Sequence, residues 1–164
     1  MPKVIITVGR ICSGKSTYCK RLAKEINAVI FSVDELTLTL LGQQAGDKLS
    51  EYVEKLEAYF LQKAVQTVQN GVNVIIDIGL WTRGERDEVR AFFKERNIPL
   101  ELHYIDIDDN EWQRRIDERN ADIKANGRAD YFVDEGLAKK AAALFEPIGE
   151  DEKDVIYIKD QRRE

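Results

Sequence analysis

An α/β fold, in which helices pack on both faces of a parallel β-sheet, is predicted by three observations. The run Val4-Ile5-Ile6-Thr7-Val8 is almost wholly apolar, as in a strand buried on both sides rather than half-exposed. Behind it, Tyr18, Cys19, Leu22, Ala23 and Ile26 recur at helical spacing within Lys15–Ile26, forming one apolar stripe. The same succession of strand and helix continues along the chain, and such alternation builds parallel sheets because each crossover carries a helix back over a face.

The first strand covers 3–9, and the first helix, Lys15–Ile26, ends at Asn27. Ala28-Val29-Ile30-Phe31 forms a second strand, and Ser32-Val33-Asp34-Glu35 leaves its C-terminal end. Residues 36–49 read as a short helix and a glycine-containing loop. A long amphipathic helix from Ser50 to Asn70 turns Val53, Leu56, Phe60, Ala64 and Val68 inward. Asn70-Gly71 stops it, since glycine accepts the left-handed turn that closes a helix. The third strand is 72–77. Thr82 and Glu85 stand at capping-box spacing before a helix with Val89, Phe92 and Phe93 inward. Asn97-Ile98-Pro99 turns into a fourth strand, 100–107. Asp108 and Glu111 open a helix carrying Trp112, Ile116 and Ile123, which Asn126-Gly127 breaks. A last helix runs from about Tyr131 to Phe145, Pro147 stops it, and Val155–Ile158 supplies the fifth strand. Asp160 to Glu164 is a charged tail expected to fray. No linker or repeat interrupts this order, so the expectation is one domain over 1–164 with a mobile insertion near 119–131.

The 164 residues suffice for one domain with a sizeable core. A net charge of −5 argues against a surface built for general nucleic-acid binding. Cys12 and Cys19 fit neither a zinc cluster nor a redox pair, which suits a reducing compartment. Cys12 reads as a small filler rather than a reactive thiol. There is no signal peptide and no run able to cross a membrane, so a cytoplasmic location is expected, as a monomer or homodimer.

Gly9-Arg10-Ile11-Cys12-Ser13-Gly14-Lys15-Ser16 lies where the first strand turns into the first helix. Two glycines with four residues between them, then Lys and Ser, form the phosphate-binding loop pattern. The glycines let backbone N–H groups curl around an anion, and the helix start adds its positive end. Lys15 reaches β- and γ-phosphates, and the Ser16 hydroxyl, with Thr17 beside it, suits Mg²⁺ that bridges them. The pattern predicts nucleoside triphosphate binding.

Ligands of open α/β sheets sit at the C-terminal strand ends, where Asp34 and Asp77 also fall. Asp77, after Val74-Ile75-Ile76, is placed to hold Mg²⁺; the alternative is a strand-end cap. Asp34 is placed to orient and deprotonate an acceptor hydroxyl; the alternative is a helix N-cap, with Glu35 as a minor candidate. Arg115 and Arg119 share a helix face and, with Arg114, Arg128 and Lys124, read as a basic flap that closes over a triphosphate; the alternative is a solvated face paired with Asp117 and Glu118. Arg83, Arg86 and Trp81 follow the third strand and either touch an acceptor or serve packing and surface roles. His103 reads as a packed histidine.

These pieces resemble the small P-loop kinases, in particular the AAA-type kinase group, over almost the whole length. The resemblance rests on Gly9 to Thr17, Phe31-Ser32-Val33-Asp34, Ile75-Ile76-Asp77, Arg83-Gly84-Glu85-Arg86, Arg115-Ile116-Asp117-Glu118-Arg119 and Phe145-Glu146-Pro147. It implies a three-layer α/β/α P-loop NTPase fold with strand order 2-3-1-4-5 and a helical lid. It also implies ATP with Mg²⁺ as donor, Asp34 as base, and the lid arginines Arg115 and Arg119 as charge stabilisers. Thr37 stands where many relatives carry an arginine, and Phe31 to Leu36 looks like the chloramphenicol phosphotransferase version. The reading is a kinase acting on a small-molecule hydroxyl. The alternatives are a nucleic-acid 5′-hydroxyl kinase and a nucleotide-hydrolysing switch.

Overall fold

The structure is a computed structural model that describes residues 1–43 and 46–159. Residues 44–45 of the expected 36–49 loop, and the 160–164 tail, lie outside the described residues. Five strands, β1 (Val4–Val8), β2 (Ala28–Ser32), β3 (Asn73–Asp77), β4 (Leu100–Ile105) and β5 (Val155–Ile158), form a sheet of order 2-3-1-4-5. Every neighbouring pair is parallel. This is the three-layer P-loop arrangement with the expected strand order.

The alternation of a pleated strand sorts β1 and β3 between two apolar layers. Val4, Ile6, Val8, Val74 and Ile76 face one cluster, where they meet Phe60, Ala64 and Val68 of α3 (Leu49–Gln69) and Val89 and Phe93 of α4 (Arg83–Glu95). Ile5 and Ile75 face the other, where α1 (Lys15–Ile26) brings Cys19, Leu22, Ala23 and Ile26. A third cluster sits at the C-terminal strand ends. It joins Cys12 and Ile107 to Trp112 and Ile116 of α5 (Asp109–Asn126) and Ala141 of α6 (Glu135–Leu144). Among the described residues, no helix is long and apolar enough to cross a membrane.

Capping sets several boundaries that periodicity missed. The Ser32 hydroxyl accepts from the Glu35 N–H, so α2 (Val33–Leu41) starts directly after β2 and carries Asp34 in its first turn. Asp134 caps α6, which runs over Glu135–Leu144, shorter than the 131–145 expected. β4 ends at Ile105, two residues before the expected limit. The Thr82 and Glu85 capping box forms with both bonds present, and Asp108 accepts from the Glu111 N–H as expected. α5 stays helical through Asn126 and ends at Gly127, the expected break, with Arg119 on the helix as expected.

Arg86 is fully buried and forms a two-pronged pair with Glu152, at 2.8 and 2.9 Å. Arg90 joins the same carboxylate at 2.9 Å. Burial pushes the Glu152 carboxyl up, but Arg86, the Gly149 N–H and Arg90 outweigh it and hold it down near about 2. The pair ties α4 to the segment before β5.

Candidate active site

The loop from Gly9 to Ser16 is shaped by close approach. Gly9 has φ +148, and a Cβ there would lie 3.0 Å from Ser13 Oγ and 3.1 Å from the Ile105 carbonyl oxygen. Gly14, at φ 101, caps α1 with no side-chain hydrogen bond and no acidic residue in the first turn. The N–H groups of that turn have no intrahelical acceptor, so the positive end of α1 opens into the loop. Ser13 Oγ is buried and, among the described residues, is the one buried side-chain polar atom without a hydrogen-bond partner. A backbone cradle that excludes a Cβ and holds an orphaned hydroxyl fits a polyphosphate.

Two residues of α5 brace this loop from outside. The Trp112 indole N–H donates to the Ile11 carbonyl, and Arg115 Nη1 donates to the Ser13 carbonyl at 2.6 Å. Arg115 is 5% exposed, and its Nε donates to Glu111 at 2.8 Å. Arg10 turns away from the loop's concave side. Its guanidinium stacks 4.3 Å above the Trp112 ring and donates to Asp109 and to the Ile107 carbonyl, both at 2.7 Å. Cys12 is buried at φ 61, and burial pushes its thiol up, so it is a filler and not a thiolate.

Lys15 Nζ donates to the carbonyls of Gly9 at 3.0 Å and Arg10 at 2.7 Å. Its surroundings strip water and lower its pKa, while the nearby Asp77 and Asp34 charges oppose that shift. Ser16 and Thr17 are exposed at the mouth, and Asp77 is buried at the end of β3, level with Ser32 of β2. Asp34, in the first turn of α2, is exposed to solvent. Desolvation by the surrounding protein raises its pKa, Lys15 and Arg119 draw it down, and Asp77 and Asp130 push it up. Asp34, Lys15, Asp77 and Arg119 therefore lie near enough for their charges to act on one another.

No set of three or more His, Cys, Asp or Glu suited to hold a metal ion occurs among the described residues. A single carboxylate with the Ser16 hydroxyl matches Mg²⁺ sites completed by phosphate oxygens and water, and on that chemistry the residues fit the ion.

The segment after α5 crosses to α2. Asn120 exchanges hydrogen bonds with Val133 at 2.6 and 2.9 Å, and Gln43 holds the Asp130 carbonyl and the Phe132 N–H. Tyr131 OH donates to Thr37 Oγ1 at 2.7 Å, and Thr37 donates to the Asp34 carbonyl at 3.2 Å. Asp130 lies 3.7 Å from Arg119 and accepts from Arg128 Nε at 2.7 Å. Both arginine charges reach Cys12 of the loop.

Other candidates serve elsewhere. Arg114 pairs on the surface with Glu111 and Glu118. Arg83 binds Asp87 and Asp151, and Arg86 is the buried partner of Glu152, so neither touches an acceptor. Trp81 packs against the cluster around Cys12. His103 is packed as expected, within 2.6 Å of Tyr18 OH and 3.0 Å of Glu101. Sequence reasoning missed Asp130, Tyr131 and Glu57. Glu57 is half-buried, and desolvation with the charges of Glu85, Asp34 and Glu54 pushes its carboxyl up to about 7. Its sequence signal was a carboxylate at an inward position of an amphipathic helix.

The strand order and the cradle at the mouth of β1 define a P-loop fold of the kinase type. The chain belongs to the AAA domain family, whose model matches residues 4–148. No curated protein matches it in sequence. Among solved structures it is similar to a sugar kinase from Janibacter sp. HTCC2649, with 18% identity over 97% of this chain and 86% of that one and a TM-score of 0.67. A gluconokinase from Sinorhizobium meliloti 1021 is similar at 14% identity over 98% and 84%, with a TM-score of 0.66. A chain of the Pnkp1/Rnl/Hen1 RNA repair complex matches 87% of this chain at 22% identity and a TM-score of 0.69, and 43% of its own length is covered.

Proposed function

We propose that the protein is an ATP-dependent kinase that moves the γ-phosphoryl group of a magnesium nucleoside triphosphate to a hydroxyl of a small molecule. The observation that carries this reading is the convergence of Asp34 with Lys15, Asp77 and Arg119 at the loop that holds the orphaned Ser13 hydroxyl. In this reading 1–164 works as one kinase domain with 119–131 as its lid.

The first-turn N–H groups of α1 and the Ser13 hydroxyl cradle the phosphates, and Lys15 exchanges its carbonyl partners for β- and γ-phosphate oxygens. Mg²⁺, when bound between Ser16 and Asp77, neutralises phosphate charge. Asp34 orients the acceptor hydroxyl and takes its proton as the oxygen bonds to the γ-phosphorus. The bond from that phosphorus to the β–γ bridging oxygen breaks, and ADP leaves with the electron pair. A raised Asp34 pKa makes it a stronger base than an ordinary surface carboxylate. Arg119 and Arg128 stabilise the charge that builds on the transferred group, while Arg115 keeps the loop in shape through the Ser13 carbonyl. The net negative charge disfavours a polyanionic acceptor.

The test is ADP release across a panel of hydroxyl compounds, measured above the acceptor-free rate. Lys15→Ala should abolish transfer. Asp34→Asn should keep ATP affinity and lose at least ~10²-fold in transfer. Unchanged transfer by Asp34→Asn refutes the reading.

A further inference from the structure

Donor binding and proton transfer leave one half-buried carboxylate without a role. Glu57 falls four residues after Val53, three before Phe60 and seven before Ala64, so it shares the inward face of α3 with residues of the main apolar cluster. Among the described residues no hydrogen bond or ion pair engages it, although its neighbours on that face are apolar. An unpaired carboxylate on such a face is costly to keep.

Its height along the helix matters as much as its face. α3 ends at Gln69, next to the start of β3, so it runs antiparallel to the strands. Phe60 stacks on Phe31 of β2 at 5.2 Å between ring centroids. Phe31 is in register with Ile76, and the next pair is Ser32 with Asp77. Glu57 lies nearly one turn closer to the C-terminal strand ends than Phe60, at the level of Asp77 and Asp34. The charges that reach it come from Glu85, Asp34 and Glu54, and no cation is among them.

We propose that Glu57 is the specificity-determining residue on the acceptor side. Beside the hydroxyl that is phosphorylated, the acceptor presents a second hydrogen-bond donor, an ammonium or a further hydroxyl, to this carboxylate, and it carries no anionic group there. The proposal rests on the kinase reading above. Asp34 on α2 and Glu57 on α3 carry negative charge, and Lys15 on α1, Arg119 on α5 and Arg128 just after it carry positive charge, so the site in this reading is polarised. Phosphate oxygens meet the cations, and the acceptor meets two carboxylates that repel an acid and attract a donor.

The experiment uses the full chain with magnesium ATP and matched acceptors: neutral sugars, amino sugars, sugar acids and simple amino alcohols. Phosphoryl transfer and ATP affinity are measured for the wild type, Glu57→Gln and Glu57→Leu. Transfer is expected to neutral or amino compounds and not to the acids. Glu57→Gln should raise KM at least tenfold for an ammonium acceptor and under threefold for a hydroxyl-only acceptor, since the amide oxygen still accepts from a hydroxyl. Glu57→Leu should raise KM at least tenfold for both, with ATP affinity unchanged and kcat within threefold. A KM that neither variant moves, or a preference for sugar acids, overturns the role of Glu57 and leaves the kinase reading standing. ATP binding with no transfer to any compound overturns the kinase reading, and this proposal with it. Thermal unfolding at pH 8 separates misfolding from lost recognition, because both variants remove an unpaired charge and should melt no lower than the wild type.

Discussion

Replacing Glu57 by glutamine should alter stability in a pH-dependent way whose sign and size follow from its surroundings. The carboxyl titrates near its ordinary value of 4.5 in the unfolded chain and near about 7 in the folded one. The native state therefore holds the proton more tightly, and the neutral form's contribution is full below 4.5. As pH rises through the window from 4.5 to about 7 that contribution is lost, and above 7 the charged form carries the whole penalty. At 1.36 kcal/mol per pH unit the window corresponds to about 3 kcal/mol, and solvent screening of a half-buried group reduces this to about 1–2 kcal/mol. Glutamine does not titrate. The variant should gain on the wild type from pH 4.5 to 7 and hold a constant margin of about 1–2 kcal/mol above that, or about 4 °C in Tm for a chain of this size. Urea unfolding followed by the fluorescence of Trp81 and Trp112, at steps from pH 4.5 to 8, reads the margin directly. A margin independent of pH, or a variant less stable than the wild type at pH 8, would show that the Glu57 carboxyl is well solvated and that its placement on the inner face has been misread.

Two other substitutions probe the frame and the loop. Glu152→Ala leaves the fully buried Arg86 without its counter-charge and should cost about 3–5 kcal/mol in denaturant unfolding; a loss below about 1 kcal/mol would mean that Arg86 finds water or another acceptor. Ser13→Ala removes the unpartnered hydroxyl, so the unliganded protein should unfold no more easily while ATP affinity falls several-fold by calorimetry. An unchanged affinity would remove Ser13 from the phosphate cradle.

Short-range signals made the donor half of the site readable. The phosphate loop is eight contiguous residues, Gly9 to Ser16, and each residue type there answers to one local need. Asp77 could be placed from the apolar run before it, and Asp34 from its position just past β2. The strand order followed from the resemblance rather than from periodicity, which does not encode which strands are neighbours. Long-range partners were out of reach. Arg115 meets the carbonyl of Ser13, 102 residues earlier. Arg86 finds Glu152 66 residues later, so a residue that read as surface or acceptor-facing is the deepest charge in the frame. Glu57 was hidden because an amphipathic stripe tolerates one polar break, and only the Phe31–Phe60 stack shows how high on the sheet that break stands. The start of α2 was misjudged because the Ser32 cap competes with strand propensity at the same residues.

In the proposed kinase reading, the clasp of Asp130 on Arg119 and Arg128 would make nucleotide arrival an exchange rather than a capture. Asp130 stands two residues after Arg128 and eleven after Arg119, so the counter-charge that a phosphate would replace comes from the same stretch of chain. A phosphate oxygen that replaced it would meet two cations already held beside one another by their shared carboxylate. The released aspartate would then leave its full negative charge acting on Asp34, whose pKa it already pushes up.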